Sequence, residues 1–239
     1  MNEFPPALPH GPLEAVFTGV HVVTGTMLTN LMGAHWHFSR NMTVVQDTDG
    51  ALTLINSVRL DEAGLAALDA LGPVRHIVRL GGLHGRDDAF YRERYQACLW
   101  APPGIASTAE LSIDRELVDG GAVPFAGCRV INFRTSRVPE ALLHLDRDGG
   151  IVIACDALQN WVAPDEFFSP ESRAMMTEMG FFQPANLGPV YLKVAEPKGE
   201  DYAQIRDLSF RHALCAHGSP LRERAHEAFA ARFRSVFGI

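Results

Sequence analysis

Cysteine is scarce in this 239-residue chain, and its four copies lie far apart along the sequence. They form no Cys-x-x-Cys pair and no zinc-knuckle spacing, and most of them stand within apolar runs; they are Cys98, Cys128, Cys155 and Cys215. A disulfide framework is therefore not expected. The distribution favours small buried side chains in a reducing compartment.

Long apolar runs are also missing. None approaches the roughly 18 residues that a membrane-spanning helix needs. The first residues, Met1–Pro6, have neither the basic start nor the apolar core of a signal peptide. We therefore expect a cytoplasmic protein that does not associate with membranes.

Basic residues do not exceed acidic ones. The 21 Lys and Arg against 28 Asp and Glu give a net charge of −7 with His neutral, so nothing favours displacement of counterions from nucleic-acid phosphates. Hydrophobic residues make up 47% of the chain, which is enough to bury a core and excludes long disorder. The length fits one large domain, and we expect a single domain over residues 1–239.

Several enzyme motifs are absent from the sequence. There is no Gly-x-x-x-x-Gly-Lys-Ser/Thr phosphate loop, no Gly-x-Ser-x-Gly nucleophile elbow and no Gly-x-Gly-x-x-Gly dinucleotide fingerprint. These absences argue against the common nucleotide-binding and serine-hydrolase classes. The partner that we expect is a small-molecule substrate, and the sequence leaves a homo-oligomer open.

The order of the apolar segments predicts layered α/β packing. Strands joined by a tight turn come first, β/α alternation follows, and helices dominate the end. The predicted elements include strands over Met42–Gln46, Leu52–Asn56, Val74–Leu80 and Ile151–Cys155, and helices that begin at Asp61–Glu62, near Asp87, at Ser169–Pro170 and at Ser219–Pro220, with a further helix over Tyr202–Leu214.

Polar groups converge at three points where predicted strands end, which is where functional groups gather in such folds. The first is the glycine-rich segment Leu80–Asp88, in which His84 and Asp88 are four residues apart and could share a metal or a proton. The alternative is that Asp87 or Asp88 only caps the next helix and His84 is a surface residue.

The second and third points are single residues. Asp156 follows a fully apolar strand, where burial is costly unless the carboxylate is paired or bound, and it could instead brace the next loop. His217 precedes Gly218 in the segment before the last helix, and its alternative role is loop packing. The pair His35 and His37 falls on one face of a strand, but nothing nearby completes a metal site.

These three segments, in this order, resemble the metallo-β-lactamase superfamily. The family's first motif is His-x-His-x-Asp-His, and the matching stretch keeps His84 and Asp88, while Arg86 and Ala89 stand where the motif has its other histidines. Gly-Asp-x-Leu, which holds the family's metal-bridging Asp, is similar to residues 155–158.

His217 resembles the last histidine of the family's metal site. The family's remaining histidine, expected before the strand that leads to the bridging Asp, has no counterpart within residues 133–139. The resemblance implies a four-layer αβ/βα sandwich with a metal site in the groove between its two sheets. It also implies metal ligands at His84, Asp88, Asp156 and His217.

Two functions follow from the resemblance. The first is a hydrolase with one divalent metal, Zn or else Mn or Fe, that cleaves a small ester, lactone or phosphoester. In it, Asp88 orients or deprotonates the water and Arg86 binds an anionic substrate. The second is a metal-free, inactive relative that binds a small anion or a protein partner, with Arg86 paired to Asp88 or Asp156 in place of the metal charge.

Overall fold

The computed structural model describes residues 4–108 and 111–239. Met1–Glu3, part of the segment considered above for a signal peptide, lie outside the described residues. The described part of the chain forms strands β1 (Glu14–Phe17), β2 (Val20–Leu31), β3 (Ala34–Gln46), β4 (Leu52–Ile55), β5 (Val74–Val78), β6 (Cys98–Ala101), β7 (Arg115–Glu116), β8 (Cys128–Asn132), β9 (Ala141–Leu145), β10 (Ile151–Ala154) and β11 (His212–Cys215). Its helices are α1 (Glu62–Leu71), α2 (Asp88–Tyr95), α3 (Pro170–Glu178), α4 (Pro189–Ala195), α5 (Gly199–Arg206) and α6 (Ala225–Phe237).

The strands build two sheets. Strands β1 to β7 lie side by side in chain order, antiparallel from β1 to β4 and parallel from β4 to β7. The second sheet has the order β11-β10-β9-β8, in which β10 is parallel to β11 and antiparallel to β9. The parallel strands β4, β5 and β6 are joined through the helices α1 and α2, as the alternation of β and α segments in the sequence predicts.

Three apolar clusters separate four layers. One cluster lies between the sheets and joins side chains such as Val45 and Ile55 of the first sheet to Leu143 and Ile153 of the second. Another packs α1 and α2 on the outer face of the first sheet. A third packs α4, α5 and α6 on the outer face of the second. The predicted four-layer αβ/βα sandwich is confirmed.

The start of α1 shows how local sequence fixes an element. Asp61 is its N-cap, and the side chain of Asp61 accepts a hydrogen bond of 2.8 Å from the backbone N–H of Gly64. Leu65 and Leu68 then face the core. The predicted helix from Asp61–Glu62 is therefore confirmed, as is α3, where Ser169 caps a first turn that contains Pro170.

The C-terminal predictions were partly wrong. The segment predicted as one helix over Tyr202–Leu214 is split, because α5 ends at Arg206 and His212 begins β11, a buried strand that pairs with β10. Ser219 does not cap the last helix, which begins at Ala225. Instead the chain after Ser219 turns back, and Leu221 exchanges two backbone hydrogen bonds with Ala213.

The four cysteines are free thiols, three of them buried and Cys98 half-buried. In the described ranges no helix combines the length and the apolar character that crossing a bilayer requires.

Candidate metal centre

Asp156 and His217 are brought together by two parallel strands. Ala154, the last residue of β10, lies opposite Cys215, the last residue of β11. Asp156 and His217 each stand two residues beyond these ends, so they emerge side by side at the same edge of the sheet. Both side chains are buried.

His84 reaches the same point from the other sheet. The chain after β5 is hydrogen-bonded to the chain before β9, through Ala141 N–H to the Leu80 carbonyl and Gly82 N–H to the Pro139 carbonyl, both 2.9 Å. Gly81 permits this contact, because a Cβ there would lie 2.8 Å from the Sγ of Cys155. The following turn then places His84 over the end of β10.

The three side chains bring four potential ligand atoms together, which are the Nε2 of each histidine and both carboxylate oxygens of Asp156. His84 Nε2 lies 3.1 Å from His217 Nε2 and 3.4 Å from Asp156 Oδ2, and His217 Nε2 lies 3.1 Å from Asp156 Oδ1. Ligands about 2.0–2.2 Å from a tetrahedral Zn ion are separated by about 3.3 Å. The distances between these side chains are therefore those of ligands that share a single ion.

The donor set also fits a metal chemically. Two imidazoles and one carboxylate, with a further position open, are typical of catalytic zinc sites, and the same set serves non-haem Fe(II). In these sites the remaining position takes water or substrate. His84, Asp156 and His217 are thus the residues that would hold the metal.

Electrostatics favour the metal-binding forms of Asp156 and His217. Burial opposes ionisation of Asp156, but the charge of His84 and the hydrogen bond from His217 outweigh it, so its pKa lies well below the usual range. Burial lowers the pKa of His217, against the opposing effect of Asp156. A carboxylate beside a neutral imidazole at neutral pH is the combination that binds a divalent cation.

A second group of potential ligands lies behind Asp156. Glu140 and Cys155 bring one donor atom each within 4.8 Å of Asp156, and all three residues are buried. Burial, with the nearby charge of Asp156, raises the pKa of both the Glu140 carboxyl and the Cys155 thiol. The raised pKa values favour the protonated forms of both groups, and protonated groups are poor metal ligands.

Asp88 departs from the expectation that it is a metal ligand. Its carboxylate is fully buried at the start of α2, accepts a 2.7 Å hydrogen bond from Arg79 Nε and a 2.5 Å one from Ser57, and belongs to no ligand group among the described residues. An ion pair with Arg79 satisfies the charge that a metal would otherwise neutralise. Three of the four predicted ligands come together, and Asp88 does not join them.

Arg86 lines the pocket but is engaged with the protein. Its Nη1 donates to Asp87 at 2.5 Å and its Nη2 to the Pro6 carbonyl at 3.0 Å. Asp87 also receives Arg40 from β3, so two guanidinium groups share one buried carboxylate. The pairing of Arg86 with Asp88 or Asp156, considered from the sequence, does not form; Asp87 is the partner.

A pocket opens over the side chains of His84, Asp156 and His217. It encloses about 210 Å³ and is lined mainly by apolar and aromatic side chains, with His84, Asp156 and His217 among its polar residues. The Met- and Phe-rich stretch of α3 and the chain after it forms part of the wall, because Met176 and Phe181 pack in an aromatic cluster and also line this pocket.

Sequence reasoning missed the residues of β3 that hold the His217 loop. Asn41 Nδ2 donates to the carbonyls of Cys215 (2.9 Å) and Gly218 (2.5 Å), and Asn41 N–H donates to the carbonyl of Ala216 (2.7 Å). An asparagine in a strand carries no local signal of such a contact, because its partners lie about 175 residues later in the chain. His35 and His37 also lie on β3, outside the ligand groups of the described residues.

Comparison with solved structures identifies the fold. The metallo-β-lactamase FIM-1 from Pseudomonas aeruginosa, solved in a mono-zinc form, matches with a TM-score of 0.58 at 16% identity over 97% of each chain. A flavodiiron protein from Giardia intestinalis matches with a TM-score of 0.61 at 17% identity, over 96% of this chain and 60% of its own length. A metallo-β-lactamase family protein from Thermus thermophilus matches with a TM-score of 0.51 at 17% identity, over 91% and 80%.

No protein-family profile and no curated protein sequence matches this chain. At 16–17% identity these three structures show the fold alone. The chain has the metallo-β-lactamase fold, as the resemblance in the sequence implied.

Proposed function

We propose that this protein is a hydrolase that uses a single divalent metal ion to cleave a small ester, lactone or phosphoester. The observation that carries the proposal is the meeting of His84, Asp156 and His217 at ligand-to-ligand distances of 3.1–3.4 Å on the floor of a pocket. Zn is the first candidate, and Mn and Fe suit the same donors.

A divalent ion at these donors would lower the pKa of a bound water toward neutrality and polarise the oxygen of a scissile bond. The protein's own contribution is to fix the ligands. Trp161 and Phe38 flank the His217 ring at centroid distances of 4.7 and 5.9 Å, so the imidazole cannot swing away. Asp156 supplies the negative charge, and apolar side chains form most of the surrounding walls.

Asp88 and Arg86 have different parts in this proposal than the family motif suggests. Asp88 fixes the loop after β5 through Arg79, whose Nη2 donates to the Gly85 carbonyl beside His84 at 3.3 Å. It is therefore a positioning residue. Arg86 forms part of the pocket wall and makes an ion pair with Asp87. We therefore expect one metal ion to bind, not two.

Metal binding tests the proposal directly. Untagged, metal-stripped protein is dialysed against Zn, Mn or Fe(II), and bound metal is measured by elemental analysis. We expect one equivalent, with binding lost in His84→Ala and Asp156→Asn and kept in the control His35→Ala, which changes an exposed histidine on β3. The loaded protein should hydrolyse ester or phosphoester substrates.

Failure to bind any of the three metals would overturn the proposal. It would favour the metal-free relative, which can be tested with phosphate: binding that raises the melting temperature of the wild type, but not of Arg86→Ala, is the result expected of an anion-binding protein.

A further inference from the structure

The walls of the pocket over the metal centre are apolar and aromatic. Trp36, Phe38, Trp161, Phe181 and Tyr191 surround it. Several of these rings also pack edge-on against one another, with centroid distances of about 6 Å between Trp36 and Phe181 and between Phe38 and Trp161. Such a surface gains free energy by burying an apolar ligand group.

The walls are fixed in place by contacts outside the pocket. The hairpin of β2 and β3 is held against α3, since His37 N–H donates to the Ser172 hydroxyl at 2.8 Å and Ser169 N–H donates to the His37 carbonyl at 3.2 Å. On the opposite side, the Tyr191 hydroxyl donates to Ser136 at 2.8 Å. The pocket is therefore preformed, and a ligand need not order its walls.

Both arginines at the pocket are paired with a carboxylate of the protein. Each terminal nitrogen of Arg86 donates a hydrogen bond to a protein group, and Arg40 is buried against the same Asp87 carboxylate. The Nε of Arg40 makes no hydrogen bond, but it is shielded from solvent. Among the described residues that line the pocket, neither arginine presents a free fork to a phosphate or a phosphoester, which is the geometry that strong oxyanion binding uses.

The volume sets the size of the apolar group. An engineered apolar cavity of about 150 Å³ holds a benzene ring. The 210 Å³ of this pocket takes a group of that size together with the atoms of an ester.

We propose that the preferred substrate is an uncharged carboxylic ester or lactone whose acyl part carries an apolar group of about six carbons, and that phosphoesters are poorer substrates. This inference rests on the proposed hydrolase function. In the reaction, the oxygen of water forms a bond to the carbonyl carbon, the acyl C–O bond breaks, and the leaving oxygen takes a proton, which gives a carboxylic acid and an alcohol.

A chain-length series tests the inference. Metal-loaded protein is assayed with 4-nitrophenyl acetate, butyrate and hexanoate and with bis(4-nitrophenyl) phosphate. Full burial of one methylene should raise kcat/KM by about fourfold, and hexanoate has four more methylenes than acetate, so full burial of all four would give about 250-fold. Even with partial burial, we expect hexanoate to exceed acetate by about tenfold or more. The phosphodiester should be the poorest substrate. Equal rates along the series, or faster cleavage of the phosphodiester, would overturn the inference.

Two substitutions on α4 give a matched pair. Val190 lines the pocket, whereas Val194, four residues later on the same helix, is 37% exposed and is not a lining residue. Val190→Trp should remove the gain with chain length, and Val194→Trp should retain it. The same loss in both variants, or in neither, would contradict the assigned walls.

Binding without chemistry separates this inference from the proposed function. Metal-free protein is titrated with hexanamide, an uncharged probe, by calorimetry, and wild type and Val194→Trp should bind it more tightly than Val190→Trp. If hexanamide binds in this way and no ester is hydrolysed by any metal-loaded form, the hydrolase proposal fails while the apolar pocket stands. If esters are hydrolysed and hexanamide does not bind, the substrate class is wrong.

Discussion

Removing the Asp88 carboxylate should cost stability and leave metal binding intact. Asp88 is fully buried, and both of its oxygens are occupied: Arg79 Nε donates to one at 2.7 Å and the Ser57 hydroxyl to the other at 2.5 Å. In Asp88→Ala the guanidinium of Arg79, whose side chain is 15% exposed, loses its counter-ion in a mostly buried place. The substitution therefore breaks a buried ion pair by removing one partner.

The expected size follows from that geometry. Breaking a buried pair in this way costs about 3–5 kcal/mol in the free energy of unfolding. In a protein of this length each kcal/mol lowers Tm by roughly 2–4 °C, so the melting temperature should fall by roughly 6–20 °C. Asp49→Ala is the matched control, because Asp49 pairs with Arg75 where both side chains are more than half exposed, and its loss should be far smaller.

Thermal unfolding of the metal-free protein gives the stability, and dialysis against Zn followed by elemental analysis gives the occupancy. We expect Asp88→Ala to melt earlier and still bind one equivalent. A variant that is as stable as the wild type and has lost its metal would refute the reasoning, because Asp88 would then be the ligand that the family motif suggests.

Two further substitutions test the surroundings of the site. Burial and the charge of Asp156 raise the pKa of Glu140 above 4.5, so above that pH the folded state retains a proton that the unfolded state releases. As the pH rises above 4.5, the free energy of unfolding of the wild type should therefore fall relative to that of Glu140→Gln, by up to about 1.4 kcal/mol per pH unit. Parallel stability curves against pH would contradict this. Gly218→Ala should destabilise the protein far more than Gly33→Ala, since both backbones have positive φ but only at Gly218 would a Cβ meet backbone atoms of Asn160, at 2.1 Å. Equal shifts in Tm would show that the contact relaxes freely.

The fold was accessible from the sequence where local signals agreed. Capping at Asp61 and Ser169 and the unbroken apolar run of β10 each point to one structure. The error at β11 arose because the short apolar run Ala213-Leu214-Cys215 fits a helix as well as a buried strand. The pattern at Ser219 imitates a helix start, but pairing of the next residues with β11 takes precedence.

The site was accessible only in part. His84, Asp156 and His217 follow strand ends, and parallel strands bring such ends together, so sequence order was informative. Whether Asp88 binds the metal or pairs with an arginine depends on Arg79 and Ser57, which lie 9 and 31 residues away along the chain. No pattern in the sequence around Asp88 predicts which of the two occurs. The aromatic residues of the pocket walls come from segments far apart in the chain. The periodicity of apolar residues alone does not show which of them line a pocket.

Anomalous diffraction from crystals of the zinc-loaded protein would show which residues hold the ion. We expect a single zinc peak about 2.0–2.2 Å from His84 Nε2, His217 Nε2 and an oxygen of Asp156, with Asp88 still paired to Arg79. A peak that includes the Asp88 carboxylate, a second zinc beside Arg86, or no peak at these three residues at saturating zinc would contradict this assignment.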